Sequence, residues 1–237
     1  MSGAWTLLSW GPEGWLDDIA YGVFVTVSLA LATLPVGLAI GFLVALAKQS
    51  PEPSLRLAGN VYTTIFRGLP ELLTLFLVYF GAQIGLQKLF QLFDPGATVD
   101  VNAFVSGMIA LGVVFSSYAS EVFLSAFKAI PRGQYEGGYA IGLTNRQTMR
   151  LVVLPQLIRI ALPGLANLWL ILLKDTALVS AIGLGDILRQ TSIAARVTKH
   201  AFLFFGFATL VYLVLSIISS FGIRAIERSV DNRDMRR

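Results

Sequence analysis

The chain has 237 residues, 55% of them hydrophobic and 14% charged, and its mean hydropathy of +0.71 is too high for an ordinary soluble domain. With no cysteine and one histidine, His200, it offers no disulfide, thiolate site or histidine cluster, so no such metal site and no redox chemistry is expected, and with no nucleophile–base pair evident no catalytic residue is expected either. A net charge of +4 and a pI near 9.5 raise the question of nucleic acid, but Lys and Arg are scattered in loops between apolar runs, which points to membrane topology.

The first 20 residues contain no Lys or Arg and no cleavable apolar core, so they are expected to be retained. Trp5, Trp10 and Trp15 with Asp17 and Asp18 suggest an interfacial helix. The first long apolar run, Ala20 to Ala47, is free of charge and exceeds the roughly 20 residues needed to span. Pro35 predicts a kink there, and Gly37 with Gly41 forms a GxxxG through which another helix can approach closely. After the loop Lys48–Arg56, a second membrane segment is expected from Leu57 to Phe93, interrupted at Arg67-Gly68-Leu69-Pro70-Glu71. Glycine and proline beside two ionisable residues predict a broken helix, since freed backbone groups survive at depth only where protein or water satisfies them. Such breaks often line pathways.

The third segment, Val101–Phe127, is apolar apart from Glu121, and the fourth, Pro155–Leu173, contains Arg159 and Pro163. The fifth, Ala201–Ile223, is uncharged. Between these last two, the apolar part of Leu173–His200 is too short to span and is expected to re-enter or lie at a surface. His200, alone at a span boundary, is expected to be structural.

One polar stretch, Pro131–Pro155, separates the third and fourth segments. Glu136, Gly137, Gly138, Gly142, Val152, Leu154 and Pro155 give it the spacing E-G-G-x3-G-x9-V-x-L-P. Local chemistry predicts helix, turn, helix. Pro131 suits a first helical position, Gly142 falls where positive φ ends a helix, and Thr144 with Gln147 makes a capping box. Gly137 and Gly138 should each weaken the first helix by about 1 kcal/mol if nothing packs against them.

An ionisable residue within a span costs roughly 2.5 to 3.5 kcal/mol on insertion scales, so each needs a partner or a pathway. The pathway candidates are Arg67, Gly68, Glu71, Glu121 and Asp175. Arg67 either pairs with Glu71 four residues on or meets a substrate carboxylate. Glu121 and Arg159 should lie at similar depth, so Glu121 either pairs with Arg159 or meets a cationic substrate. Asp175 either contacts Lys174 or receives an ammonium or guanidinium group. In a five-span arrangement one side collects eleven Lys and Arg residues, including Lys48, Lys128, Arg233, Arg236 and Arg237, and the other five. The richer side should be cytoplasmic, which places the amino terminus outside and Pro131–Pro155 inside.

The spacing of Pro131–Pro155 resembles the EAA loop of ABC-importer permeases, E-A-A-x3-G-x9-I-x-L-P. YTTIFRGLPELL at Tyr62–Leu73, YASEVF at Tyr118–Phe123 and LPGLANLWLILLKDTALVSAIGL at Leu162–Leu184 are similar to the polar amino-acid uptake family. Within it, the branch for histidine, lysine, arginine and ornithine and for the opines octopine and nopaline is most similar. The resemblance implies an all-α integral membrane protein of the type I importer class, one transmembrane domain over 1–237 with a coupling loop at 131–155, in a bacterial inner membrane. Glu136, Gly137, Gly138, Gly142, Thr144, Leu154 and Pro155 would carry coupling to an ATPase. The implied partners are two ATPase subunits, a related second permease in preference to a second copy, and a periplasmic binding protein that delivers an amino acid or opine. The chain lacks G-x4-G-K-[ST], so ATP and Mg are expected on the ATPase, with no cofactor and no enzyme activity here. The competing reading is an ion-coupled secondary carrier or channel subunit, although five spans without a visible second repeat fit a half-transporter better.

Overall fold

A computed structural model describes residues 6–232 except 95, 97 and 99. Trp5, Arg233, Arg236 and Arg237 lie outside the described residues. The regular structure among the described residues is helical: α1 (Leu16–Gln49), α2 (Pro53–Gly68), α3 (Glu71–Gln91), α4 (Ala103–Ala129), α5 (Arg132–Ala140), α6 (Asn145–Thr148), a π-helical turn (Met149–Val153), α7 (Leu154–Asp175), a 3-10 turn (Thr176–Ile182), α8 (Ile187–Thr198) and α9 (Ala201–Asn232). Five stretches are long and apolar enough to cross a membrane, and they contain α1, α3, α4, α7 and α9. The five-span expectation holds.

Helix α4 is the centre of the bundle. Asn102 caps it, its side chain accepting from the Phe104 and Val105 N–H groups at 2.9 and 3.1 Å, and the main core cluster gathers along it around Ala110, Phe115, Ala119 and Phe123. Lipid tails are as apolar as leucine, so spans associate by close packing of small residues. Accordingly α1, which continues unbroken through Pro35, turns Gly37 toward Phe115 and Gly41 toward Ser116 and Ala119 of α4. The GxxxG is thus filled from within the chain. Ser116, Ser117 and Ser120 are fully buried on α4. Each hydroxyl donates to the carbonyl three residues back, at 2.7 to 2.8 Å, which satisfies the donor within α4, and the Ser116 oxygen also lies 2.6 Å from the Tyr62 hydroxyl of α2.

Three expectations are corrected. The second segment spans only from Glu71, because Leu69, extended ahead of Pro70 at φ −88° and ψ 141°, ends α2 as a residue before proline does. Helix α2 is a separate helix outside the apolar spans. No interfacial helix covers the amino-terminal tryptophans that are described: residues 7–15 are turns and bends, with Trp15 edge-on to Phe204 and Trp10 exposed. Pro131 is the extended residue before α5, at φ −60° and ψ 143°, not its first helical residue.

Between α7 and α9, no described stretch is long and apolar enough to span. The chain turns at Gly183 (φ 95°) and enters α8 through Asp186, a fully buried cap that accepts from the Leu188 and Arg189 N–H groups. Burial pushes this carboxyl up to about 6 despite those bonds. Gly22 of α1 lies against its backbone, where a Cβ would come within 2.9 Å of the carbonyl. His200 sits in the joint between α8 and α9, its carbonyl accepting from Phe204.

Candidate functional site: a coupling turn and a charged pathway

There are two groups of functional candidates, a turn at the amino-terminal end of α7 and a set of charges along the spans, of which Asp175 closes the other end of α7. The first is the turn between α5 and α7. Gly142 has φ 85°, and the Gly142 and Leu143 N–H groups donate to the Tyr139 and Gly138 carbonyls, each at 3.0 Å, closing α5 as a left-handed C-cap does. Thr144 then opens α6 with the full capping box: Gln147 N–H to Thr144 Oγ1 at 3.4 Å and Thr144 N–H to Gln147 Oε1 at 2.9 Å. Helix α6 runs through the π turn into α7. Pro155 cannot donate to the carbonyl four residues back, and the Gln156 side chain supplies a donor to the neighbouring Val152 carbonyl at 2.8 Å. It also donates to Gln134 of α5 at 3.0 Å. π turns recur at functional sites.

The two adjacent glycines differ. Gly138 is buried against Thr148, whose Cγ2 and Oγ1 would lie 2.7 and 2.8 Å from a Cβ there, whereas nothing lies within 4 Å of a Cβ at Gly137. Gly137→Ala should therefore strengthen α5 by about 1 kcal/mol and leave transport intact. Gly138→Ala should force α5 off the π turn and impair uptake, and Thr148→Ala should restore part of the loss. Uptake by the assembled complex checks all three, and equal tolerance at both positions would contradict the contact. Glu136 and Pro155 are exposed and Leu154 is half-buried against the core. The sequence reading missed Tyr139 and Ile141, which expose apolar side chains beside Glu136, Ile141 by 76%. The available signal was apolar residues within an otherwise polar stretch.

The second group is the set of intramembrane charges. Glu121 of α4 pairs with Lys48 at the end of α1 and lies 3.5 Å from Arg67 Nη1, so its close partners are these two rather than the expected Arg159. Lys48 also donates to Thr63 Oγ1 at 3.1 Å. The Arg67 guanidinium lies 5.5 Å from the centroid of the Tyr118 ring. The expected Arg67–Glu71 pair is set aside by the break at Leu69-Pro70, which puts Glu71 on a different helix. Glu71 instead lies beside Asp175, where both carboxyls line a cavity of about 20 Å³ with Tyr118, Phe115 and Leu172. That is room for about one water molecule. A larger recess of about 380 Å³ opens beside Glu121, walled by Val122, Ser125, Ala126, Ile160 and Gly164. Gly68 is open, with nothing within 4 Å of a Cβ there.

Residues 37–232, which include both groups, match the family described as the binding-protein-dependent transport system inner membrane component. The chain belongs to this family. The permease is 42% identical over 224 residues to the nopaline transport system permease protein NocQ of Agrobacterium fabrum, covering 94% of this chain and 95% of that one. It is 35% identical over 218 residues to the histidine/lysine/arginine/ornithine transport system permease protein HisQ of Escherichia coli, covering 91% and 94%. Among solved structures, it resembles that of an amino acid ABC transporter with histidines, with a TM-score of 0.76 and 29% identity over 90% of this chain and 94% of that one. The MetNI methionine ABC transporter in inward-facing form shares the permease fold, with a TM-score of 0.71 at 19% identity over 90% and 96% of the two chains. The ion-coupled carrier or channel has no support in these matches.

Proposed function

We propose that the chain is the transmembrane subunit of an ATP-driven, binding-protein-dependent importer of polar or basic amino acids or opines. It forms a single transmembrane domain, with its amino terminus periplasmic, its carboxyl terminus cytoplasmic and residues 131–155 facing the cytoplasm. Two separate ATPase subunits bind ATP and Mg and hydrolyse the nucleotide. A second permease, different from this one in preference to a second copy, completes the pathway, and a periplasmic binding protein delivers the substrate. The observation that carries this reading is the turn at Gly142, which presents Glu136, Tyr139 and Ile141 outward and continues through α6 and the π turn into α7. At 1.5 Å per residue, α7 is a lever about 33 Å long whose far end carries Asp175. A push on α5 and α6 from the ATPases thus reaches the pathway, where Arg67, Gly68, Glu71, Glu121 and Asp175 face the substrate or hold those that do.

Reconstitution with a partner ATPase and binding protein tests this reading. Uptake should require ATP hydrolysis and the binding protein, whereas transport by this chain alone on an ion gradient would exclude it. The chain has no native cysteine, so Arg146→Cys gives a clean orientation test: an impermeant thiol reagent should reach it only from the cytoplasmic side. Asp175→Asn should weaken uptake of a cationic substrate more than that of a neutral one, with assembly unchanged, because the lost carboxylate faces Glu71 at the outer end of α7. Equal loss for both substrates would make Asp175 structural.

A further inference from the structure

Resting on the pathway reading above, we infer that Lys48 is a positioning residue that holds Glu121, so that Arg67, which reaches the same carboxylate oxygen only at 3.5 Å, can turn to receive a substrate carboxylate. The cluster holds two cations and one carboxylate. Its exposure is graded: the Lys48 side chain is 6% exposed, that of Glu121 32% and that of Arg67 46%. The buried cation therefore neutralises the carboxylate from within, and the surplus positive charge stands on the open side. Lys48 is built into this place. Its stem lies over Gly59, where a Cβ would come within 2.7 Å of Lys48 Cγ, and its ammonium is shared between Glu121 Oε1 and Thr63 Oγ1. Arg67 is held differently, 3.5 Å from Glu121 and against the Tyr118 ring. A guanidinium held over an aromatic face by its charge can still present its forked edge for bidentate pairing with a carboxylate.

An open recess of about 380 Å³ adjoins the cluster at Glu121, its other walls being Val122, Ser125, Ala126, Ile160 and Gly164. Glu121 lies eight residues before the end of α4 at Ala129, about 12 Å from that end, while Asp175 closes α7 at the opposite end. The pathway is therefore bipolar, positive toward the end that bears the coupling turn and negative toward the other. A substrate with a carboxylate and a cationic group passes with its carboxylate leading. Glu121, already occupied by Lys48, is not the receptor for the cationic end.

The test uses the assembled permease–ATPase complex without its binding protein, so that discrimination by that protein does not enter. Labelled L-arginine is bound to the complex and competed with L-arginine amide, which keeps the cationic end and lacks the carboxylate. The wild type should prefer arginine about tenfold, the scale of one charge-assisted contact. Arg67→Gln should remove the preference. Lys48→Met should also remove it, because Glu121 then recruits Arg67 and the cluster becomes neutral. Lys48→Met/Glu121→Gln should restore it, since Arg67 again carries the only net charge; a purely structural role for Lys48 predicts no such recovery of discrimination. An unchanged preference in Lys48→Met, no preference in the wild type, or a double variant that stays like the single would overturn the inference while the pathway reading stands. If the wild type binds none of arginine, histidine and octopine, the pathway reading itself falls.

Discussion

Gly142→Val should abolish substrate uptake while leaving the spans folded. Gly142 has φ 85° and nothing within 4 Å of a Cβ there, so the substitution meets no steric neighbour and acts through the backbone alone. A left-handed conformation costs an ordinary residue roughly 1 to 2 kcal/mol, and a β-branched residue tolerates it least. The turn can relieve this only by giving up the bonds from the Gly142 and Leu143 N–H groups to Tyr139 and Gly138. Two residues on stands the Thr144 capping box, so the geometry of Glu136 relative to the π turn is lost together with the cap. The spans keep their own packing around α4, a core in which residues 139–148 take no part. In the purified complex, assembly should therefore be normal while loaded binding protein no longer links ATP hydrolysis to uptake. Normal stimulation together with normal uptake would reduce the turn to a linker and remove the main support for the coupling reading.

Gly41→Leu should have the opposite character, with loss of the folded permease itself. A Cβ at position 41 would lie 2.9 Å from the Ala119 Cβ and 2.9 Å from the Ser116 carbonyl oxygen. Neither can yield as a flexible side chain would, since one is the root of a side chain and the other is helical backbone. The α1–α4 contact must open along its length, which exceeds the 1 to 3 kcal/mol typical of added methylenes in a packed core. The measurement is the yield of monodisperse protein in detergent and its unfolding temperature. Gly206→Leu on α9, with nothing within 4 Å of a Cβ there, is the control and should leave both unchanged. A stable Gly41→Leu protein would mean that α1 is held by something other than this contact.

The parts legible in the sequence were those set by neighbours along the chain. Spans follow from the length of charge-free runs, because the hydrocarbon core imposes its thickness on each segment separately. The break at Leu69-Pro70 follows from proline's missing donor and its effect on the preceding residue. The turn at Gly142 and the Thr144–Gln147 box are likewise local: every group involved lies within a few residues, so spacing alone predicts them.

Which partner each side chain meets was decided by tertiary structure. Glu121 is held by Lys48, 73 positions away, a residue that reads in sequence as an ordinary loop charge at the end of a span. Nothing along the chain distinguishes Lys48 from Arg159 as its partner, since both sit at similar depth and the choice depends on how α1 and α7 pack around α4. The same holds for Gly37 and Gly41, whose spacing announces a close approach but not that Phe115 and Ala119 fill it, and for Gly137 and Gly138, adjacent and chemically identical. Their environments part because a helix turns neighbouring residues about 100° from each other, so one faces open space and the other Thr148. Only the packed helices say which is which.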